Sequence, residues 1–371
     1  AKLFILLIPF CLGAQCPVGD YVVQTQQEVD DFAILYPDCT ELPAGLFIIS
    51  DSDSPSDITN LSGLSNLSSI GGVLVVSDQV ELTSLAGLSN LSTLGGALII
   101  QDNTGLTTLS GLDNMSTVGQ EVQISGNEML ETVGALTTLT TIEGSMLIAD
   151  NPLLPSLAGL QALSDIGGDL TVAFNSSLTS LDGLAGLSSI GGSLVITDHA
   201  ALTSVNGLSN LSSMSGFLQI TYNQALTSLT GIGNIDASTI DQLFIESNAN
   251  LSDCAVQSIC NYLEDELDMA SVLDNAMGCG SPEEVIEACT LVLTTELAWK
   301  HIELYPNPTT GNLQLNNIVA ERVDVYNLQG QCIIQHQRPG KELLLHNLPT
   351  GMYYLQIWAG AERYGVRIIK K

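Results

Sequence analysis

Seven apolar residues recur at one fixed interval, each 24 positions after the last: Ile70, Leu94, Val118, Ile142, Ile166, Ile190 and Met214. A period of that length, repeated without drift, is the mark of a stacked array in which each unit covers its apolar side only against its neighbours. One unit holds about seven apolar side chains, whose burial is worth roughly 10 to 20 kcal/mol. Ordering its backbone costs a similar or larger amount, at about 1 to 2 kcal/mol per residue. No unit is stable alone, so stacking carries the fold.

The unit Ile190–Ser213 reads IGGSLVITDHAALTSVNGLSNLSS. Leu194 and Ile196 alternate with Ser193, Val195 and Thr197, the period of a short strand with one face inward. The same pair recurs as Leu74 and Val76, Leu98 and Ile100, Val122 and Ile124, Met146 and Ile148, Leu170 and Val172, Leu218 and Ile220, and Leu243 and Ile245. Stacked in register, these predict a parallel sheet of about eight strands, roughly 35 to 40 Å long at about 4.8 Å per strand. Its outward face would align Val75, Ile99, Gln123, Leu147, Thr171, Val195, Gln219 and Phe244. A mixed apolar and polar ribbon of this kind is a candidate docking face, and β-branched packing is the alternative explanation.

After each strand comes Asn103, Asn127, Asn151, Asn175, His199 or Asn223, again 24 apart. Buried in a column, an amide can satisfy turn backbone and the amide of the next unit, and His199 substitutes in that ladder. One position earlier stand Asp78, Asp102, Asp150 and Asp198, interrupted by Phe174 and Tyr222. These aspartates are expected to stabilise turns, with a calcium stripe as the alternative.

A stacked array leaves its core open at both ends, so caps are required. The cysteines flank the repeats and avoid their interior: Cys16 and Cys39 before them, Cys254, Cys260, Cys279 and Cys289 after. Cys16 is expected to pair with Cys39, and the last four to form two bonds in one of three connectivities. Zinc is the competing use, but no C-x-x-C pair exists. Thr25 and Glu28 form a capping box ahead of a helix ending near Pro37. Asp253 to Asn275 reads as a helix carrying Ile259, Leu263 and Leu267 on one face, and Ser281, Pro282 and Glu284 start another.

The formal net charge is −31, and residues 3 to 299 contain no Lys or Arg. Such a body repels phosphate backbones and anionic lipid, which excludes nucleic acid and membrane surfaces as partners. It suits a cation or a role in solubility. The first fifteen residues, AKLFILLIPFCLGAQ, combine Lys2, an apolar run and Ala14, as an export signal does; the run is too short to span a bilayer.

The pattern I-G-G-x-L-x-I-x-x-N-x-x-L-x-x-L-x-G-L resembles the receptor L domain group of leucine-rich solenoids over about Gly45 to Leu251. The resemblance implies a mainly β fold, a right-handed parallel β solenoid of 24-residue coils. From His301 on, the repeat gives way to short strand-like runs with the pattern of a small C-terminal β-sandwich. LYPNPTTG at 304–311, VDVYNLQGQ at 323–331 and LPTGMYYLQI at 348–357, with the terminal lysines, resemble the C-terminal sorting domain of the type IX secretion system of Bacteroidetes-type bacteria. By matching position Pro306, Asn307, Pro308, Gly351, Lys370 and Lys371 are the sorting residues. The resemblance implies passage through that machinery, then anchoring at the outer-membrane cell surface or release. Cys332 departs from the pattern as an unpaired thiol.

The expected organisation is a signal peptide at 1–15, an N-terminal cap at 16–44, a solenoid at 45–251, a disulfide-stapled helical cap at 252–292, a linker at 293–300 and a sorting domain at 301–371. No G-x-S-x-G elbow, P-loop, G-x-G-x-x-G or H-E-x-x-H is present, so no enzyme and no cofactor is expected. Asp51, Asp53 and Asp57 imitate a calcium loop, but Pro55, Ser56 and Ser62 stand where an EF-hand needs a ligand, a Gly and a Glu. The functional expectation is a secreted surface protein that binds an extracellular protein or glycan without a transmembrane segment. A passive spacer and a glycan-active enzyme are the alternatives.

Overall fold

A computed structural model describes residues 16–50, 56–297, 299–301, 304, 306–315, 320–327, 332–340, 342–359 and 362–371. The expected export signal at 1–15 lies outside them, as do Asp51 and Asp53. The chain divides into two compact units, Ala1–Glu287 and Ala288–Lys371.

The first unit is built on two parallel sheets. The larger has 11 strands: Tyr21–Val23, Leu46–Ile49, Leu74–Ser77, Leu98–Gln101, Val122–Ser125, Met146–Ala149, Leu170–Ala173, Leu194–Thr197, Gly216–Thr221, Ile240–Glu246 and Ala270–Leu273. Through the repeats each residue pairs with the one 24 positions later, as Leu74 with Leu98 and Leu98 with Val122. The inward residues are buried along the whole stack because each strand's pleat sends alternate side chains to the same side. The second sheet has 7 strands of two residues each, from Glu41–Leu42 to Ser189–Ile190. Its strands end on the 24-spaced residues Ile70, Leu94, Val118, Ile142, Ile166 and Ile190, all buried. The shared core therefore lies between the two sheets.

Short 3₁₀ turns complete the repeats, among them Ala86–Leu88, Asp182–Leu184 and Asn206–Leu208. Each starts on the small residue before a Gly-Leu pair. At Gly207 an added Cβ would run into the carbonyl of Leu181 in the preceding repeat, and at Gly87 into that of Leu61. The recurring glycine is a packing requirement between layers.

From Leu74–Ser77 onward the corner after each main strand is left-handed. Asp78, Asp102, Asp150, Phe174, Asp198, Tyr222, Ser247 and Asp274 have φ between 54° and 60°, and Gly126 takes the same position at 67°. This conformation costs a residue with a Cβ about 1 to 2 kcal/mol, least for Asp and Asn, whose short side chains bond locally. The recurrent Asp is thus explained by the backbone.

Both ends depart from the expected sheet of eight strands. Tyr21–Val23 and Leu46–Ile49 prolong it at the start. The helix Gln26–Leu35 follows the expected capping box, with Thr25 Oγ1 accepting from Glu28 N at 3.3 Å and Glu28 Oε2 accepting from Thr25 N at 3.1 Å. At the far end, Asp253 to Asn275 is not one helix. It is a helix Gln257–Asp265, a 3₁₀ turn Leu267–Met269 and the strand Ala270–Leu273, which pairs with Ile240–Glu246. The apolar stripe stops at Leu263, since Leu267 is exposed. Val272 instead continues the inward column beyond Ile245, and the open sheet edge gains a further strand.

Cys16 bonds Cys39 and Cys254 bonds Cys279, closing stretches separated by 23 and 25 residues; Cys260 and Cys289 are also in disulfide linkage. Residues 293–297 of the expected linker continue the helix Pro282–Leu297, and Trp299–His301 form a strand.

The second unit has a sheet of 5 strands in the order Trp299–His301, Glu362–Lys370, Gly351–Ala359, Ala320–Tyr326, Cys332–Gly340, and a pair Asn312–Gln314 with Glu342–Leu344. Both contribute to one core that includes Leu313, Leu343, Val323, Leu355 and Ile368. Cys332–Gly340, which its sequence did not single out, is the edge partner of Ala320–Tyr326.

Candidate functional site

The outward residues of the main sheet form one unbroken line. Val75 pairs with Ile99, Ile99 with Gln123, Gln123 with Leu147, Leu147 with Thr171, Thr171 with Val195, Val195 with Gln219, and Gln219 with Phe244. All eight are half-buried, each flanked by its neighbours above and below. Phe47 precedes Val75 and Ser271 follows Phe244 in the same line. Gln123 Nε2 donates to Gln101 Oε1 at 3.2 Å and to Ser125 Oγ at 2.9 Å, so polar side chains of the face bond laterally.

Behind one edge of that face runs the amide ladder, fully buried. Asn103 N and Nδ2 donate to Asn127 Oδ1 at 3.3 and 3.0 Å; Asn127 and Asn151 repeat the pattern toward Asn151 and Asn175. Each Nδ2 also reaches back to a strand carbonyl, as Asn151 to Ile124 O at 3.0 Å. His199 occupies a rung without breaking it. Its Nδ1 accepts from Asn175 N at 3.3 Å, its Nε2 lies 3.1 Å from Val172 O, and its own N–H donates to Asn223 Oδ1 at 3.2 Å. Nδ1 also lies 3.2 Å from Asn175 O, so both ring nitrogens face backbone carbonyls. Burial pushes the His199 pKa below its ordinary value against the raising effect of its backbone partners and Asp198.

The ladder is longer than its 24-residue spacing suggests. Gln79 N donates to Asn103 Oδ1 at 3.1 Å at the start, and Asn223 N to Asn248 Oδ1 at 2.9 Å and Asn248 N to Asn275 Oδ1 at 3.0 Å at the end. Gln79 carries a different amide, while Asn248 and Asn275 are shifted by longer turns, which hid all three from the periodic pattern.

The acidic residues do not converge. Among the described residues no group of three or more His, Cys, Asp or Glu side chains could hold a metal ion. Asp57, from the calcium-like loop, instead accepts from Gln26 N at 2.8 Å at the start of the first helix. The hydroxyls of Ser164 and Ser189 hold the Asp165 carboxyl below its usual range. An open groove of about 650 Å³ runs along the second sheet, lined by Ser69, Thr93, Thr117 and Thr141 and by Glu41 and Glu143 near its ends.

In the C-terminal unit the residues expected to carry the sorting signal, far apart in sequence, come together on the last strand. Asn307 clamps it with both ends of its amide: Nδ2 donates to Arg367 O at 2.9 Å, and Oδ1 accepts from Ile369 N at 2.9 Å. Pro306 and Pro308 flank that amide. Gly351 pairs with Lys370 across the adjacent strand, and the buried Lys370 Nζ donates to Lys371 O at 2.7 Å. Thr309, not singled out from sequence, is the buried hub: its N donates to Ile369 O at 2.8 Å, its O accepts from Lys371 N at 2.9 Å, and its Oγ1 donates to Asn312 O at 2.8 Å. Arg322 forms a forked ion pair with Asp324 and lies 4.6 Å over the Trp358 ring. That pairing holds the Asp324 carboxyl below its usual range.

Residues 303–371 match the family described as the secretion system C-terminal sorting domain. Residues 303–371 are a sorting domain. Its presence marks an exported protein of type IX secretion, destined for the cell surface or the medium. The match covers the sorting domain and not the repeats. Among curated proteins no sequence matches the chain. No helix among the described residues is long and apolar enough to cross a membrane.

Proposed function

We propose that the repeat unit is a recognition module delivered to the cell surface by the sorting domain, and that it binds an extended extracellular protein or glycan along the outward face of its main sheet. In this reading the unit is a leucine-rich, right-handed solenoid of 24-residue coils of the receptor L domain kind. It works by adhesion and not by catalysis.

The observation that carries it is the continuous register of Val75, Ile99, Gln123, Leu147, Thr171, Val195, Gln219 and Phe244 on one side of a sheet whose other side is core. A straight, mixed apolar and polar line on a rigid support matches an extended partner better than a compact small molecule. The one-signed charge of the repeats weighs against nucleic acid.

Leu147→Lys with Val195→Lys tests the face. Both side chains are half-buried on the surface, so the fold tolerates the change, checked by circular dichroism. Binding to extracellular matrix proteins and glycans should fall to background. Undiminished binding would place the contact elsewhere, and the absence of any saturable partner for the unmodified protein would favour a passive spacer.

A further inference from the structure

Two residues at the left-handed corner do not fit the backbone they occupy. Phe174 and Tyr222 have φ of 54° and 57° where other repeats use Asp, Gly or Ser, and bulky aromatic rings are rarely held there. Neither ring is used by the core: they are 51% and 52% exposed. Their corners lie in one column, two repeats apart, roughly 9.5 Å along the stack at about 4.8 Å per strand. Between them stands Asp198, whose Oδ2 accepts from Thr197 Oγ1 at 2.8 Å, and Asp150 lies one repeat before Phe174. The column thus alternates carboxylate, ring, carboxylate, ring.

We propose that this column binds a neutral, extended β-linked polysaccharide lying parallel to the stack, with Phe174 and Tyr222 stacking on alternate sugars and Asp198 accepting hydroxyls of the sugar between. An aromatic face carries negative charge density and attracts the polarised C–H groups on the flat face of a pyranose. In a β-linked chain with a two-fold twist, every second sugar presents the same face, and two sugars span about the interval between the rings. Carboxylates accept hydrogen bonds from sugar hydroxyls and repel polyanions, and residues 3–299 offer no Lys or Arg to an acidic glycan. The inference rests on the recognition role proposed above and adds a ligand class and a row of contacts beside the sheet face.

The test is affinity electrophoresis of the whole chain in gels containing hydroxyethylcellulose or galactomannan, with alginate as the polyanionic comparison. Phe174→Asn and Tyr222→Asn place a neutral residue suited to the left-handed corner, so folding is retained. The unmodified protein should be retarded by at least one neutral polymer and not by alginate. Each substitution should weaken retardation roughly tenfold, the double variant should abolish it, and Tyr222→Phe should preserve it. Equal retardation of the double Asn variant would overturn the inference. If the Leu147→Lys, Val195→Lys protein alone lost retardation, the sheet face would be the site and the recognition role would stand. If no neutral polymer retarded the unmodified chain, the ligand class would be wrong, and a saturable protein partner would then separate that failure from failure of the recognition role.

Discussion

Replacing Asn151 with Leu probes the amide ladder at its centre. Asn151 is fully buried and makes five side-chain hydrogen bonds: Oδ1 accepts from Asn127 N and Nδ2, both at 3.2 Å, and Nδ2 donates to Ile124 O at 3.0 Å, Ala149 O at 2.8 Å and Asn175 Oδ1 at 3.3 Å. Leucine fills a similar volume, so little of the cost comes from a cavity. The cost comes chiefly from the Asn127 N–H, which loses its Asn151 Oδ1 acceptor where water does not reach. At about 1 to 3 kcal/mol for a buried donor left unsatisfied, the loss is about 1 to 3 kcal/mol. Stacked units depend on their neighbours, so the damage should spread to adjacent repeats. Urea unfolding followed by circular dichroism measures it, with Asn114→Ala as comparison. Asn114 also donates through Nδ2, to Ser89 O at 2.7 Å, but from an exposed position, and its loss should cost under about 1 kcal/mol. Equal costs for the two variants would refute the argument that the buried amide ladder stabilises the stack.

His199 gives a pH signature. Its pKa is lowered in the folded state, so below about 6.5 the unfolded chain binds more protons; stability is full above that value and falls as pH drops toward the depressed folded pKa. His199→Asn should flatten this part of a melting profile recorded between about pH 7.5 and 5.5. Gly207→Ala should lower stability by about 2 to 3 kcal/mol, because its methyl meets the Leu181 carbonyl, as a shifted denaturation midpoint would show. Phe174→Asn should raise stability by about 1 kcal/mol by relieving the left-handed corner. Asn307→Ala removes both bonds to the last strand, so it should destabilise the sorting domain by about 1 to 3 kcal/mol and reduce surface display, measured by protease accessibility on intact cells.

The repeated strands were legible because Leu194 and Ile196 alternate with outward residues, and the same alternation returns every 24 positions. The second sheet was not, because two residues such as Ser69–Ile70 are too few to show a strand period; only the buried Ile70 registered. The closing strand Ala270–Leu273 was hidden by the helical spacing of Ile259, Leu263 and Leu267, and it took the demand of an open sheet edge to override that pattern. The outward line was predicted residue by residue, since register follows from the repeat. Phe174 and Tyr222 were visible as interruptions of an Asp column, but their left-handed backbone was not: φ is set by the corner and only indirectly by residue type. In the sorting domain, Asn307 and Lys370 stand within motifs that the sequence displays, while the hub position of Thr309 depends on contacts across 60 residues of sequence, which no local pattern carries.

Equilibrium binding of the whole chain to an array of glycans and extracellular proteins, with calcium and with chelator, tests the central claim most directly. A saturable partner whose affinity collapses with Leu147→Lys and Val195→Lys is the predicted result. A blank array from correctly folded protein would contradict the claim that this exported stack exists to recognise a partner.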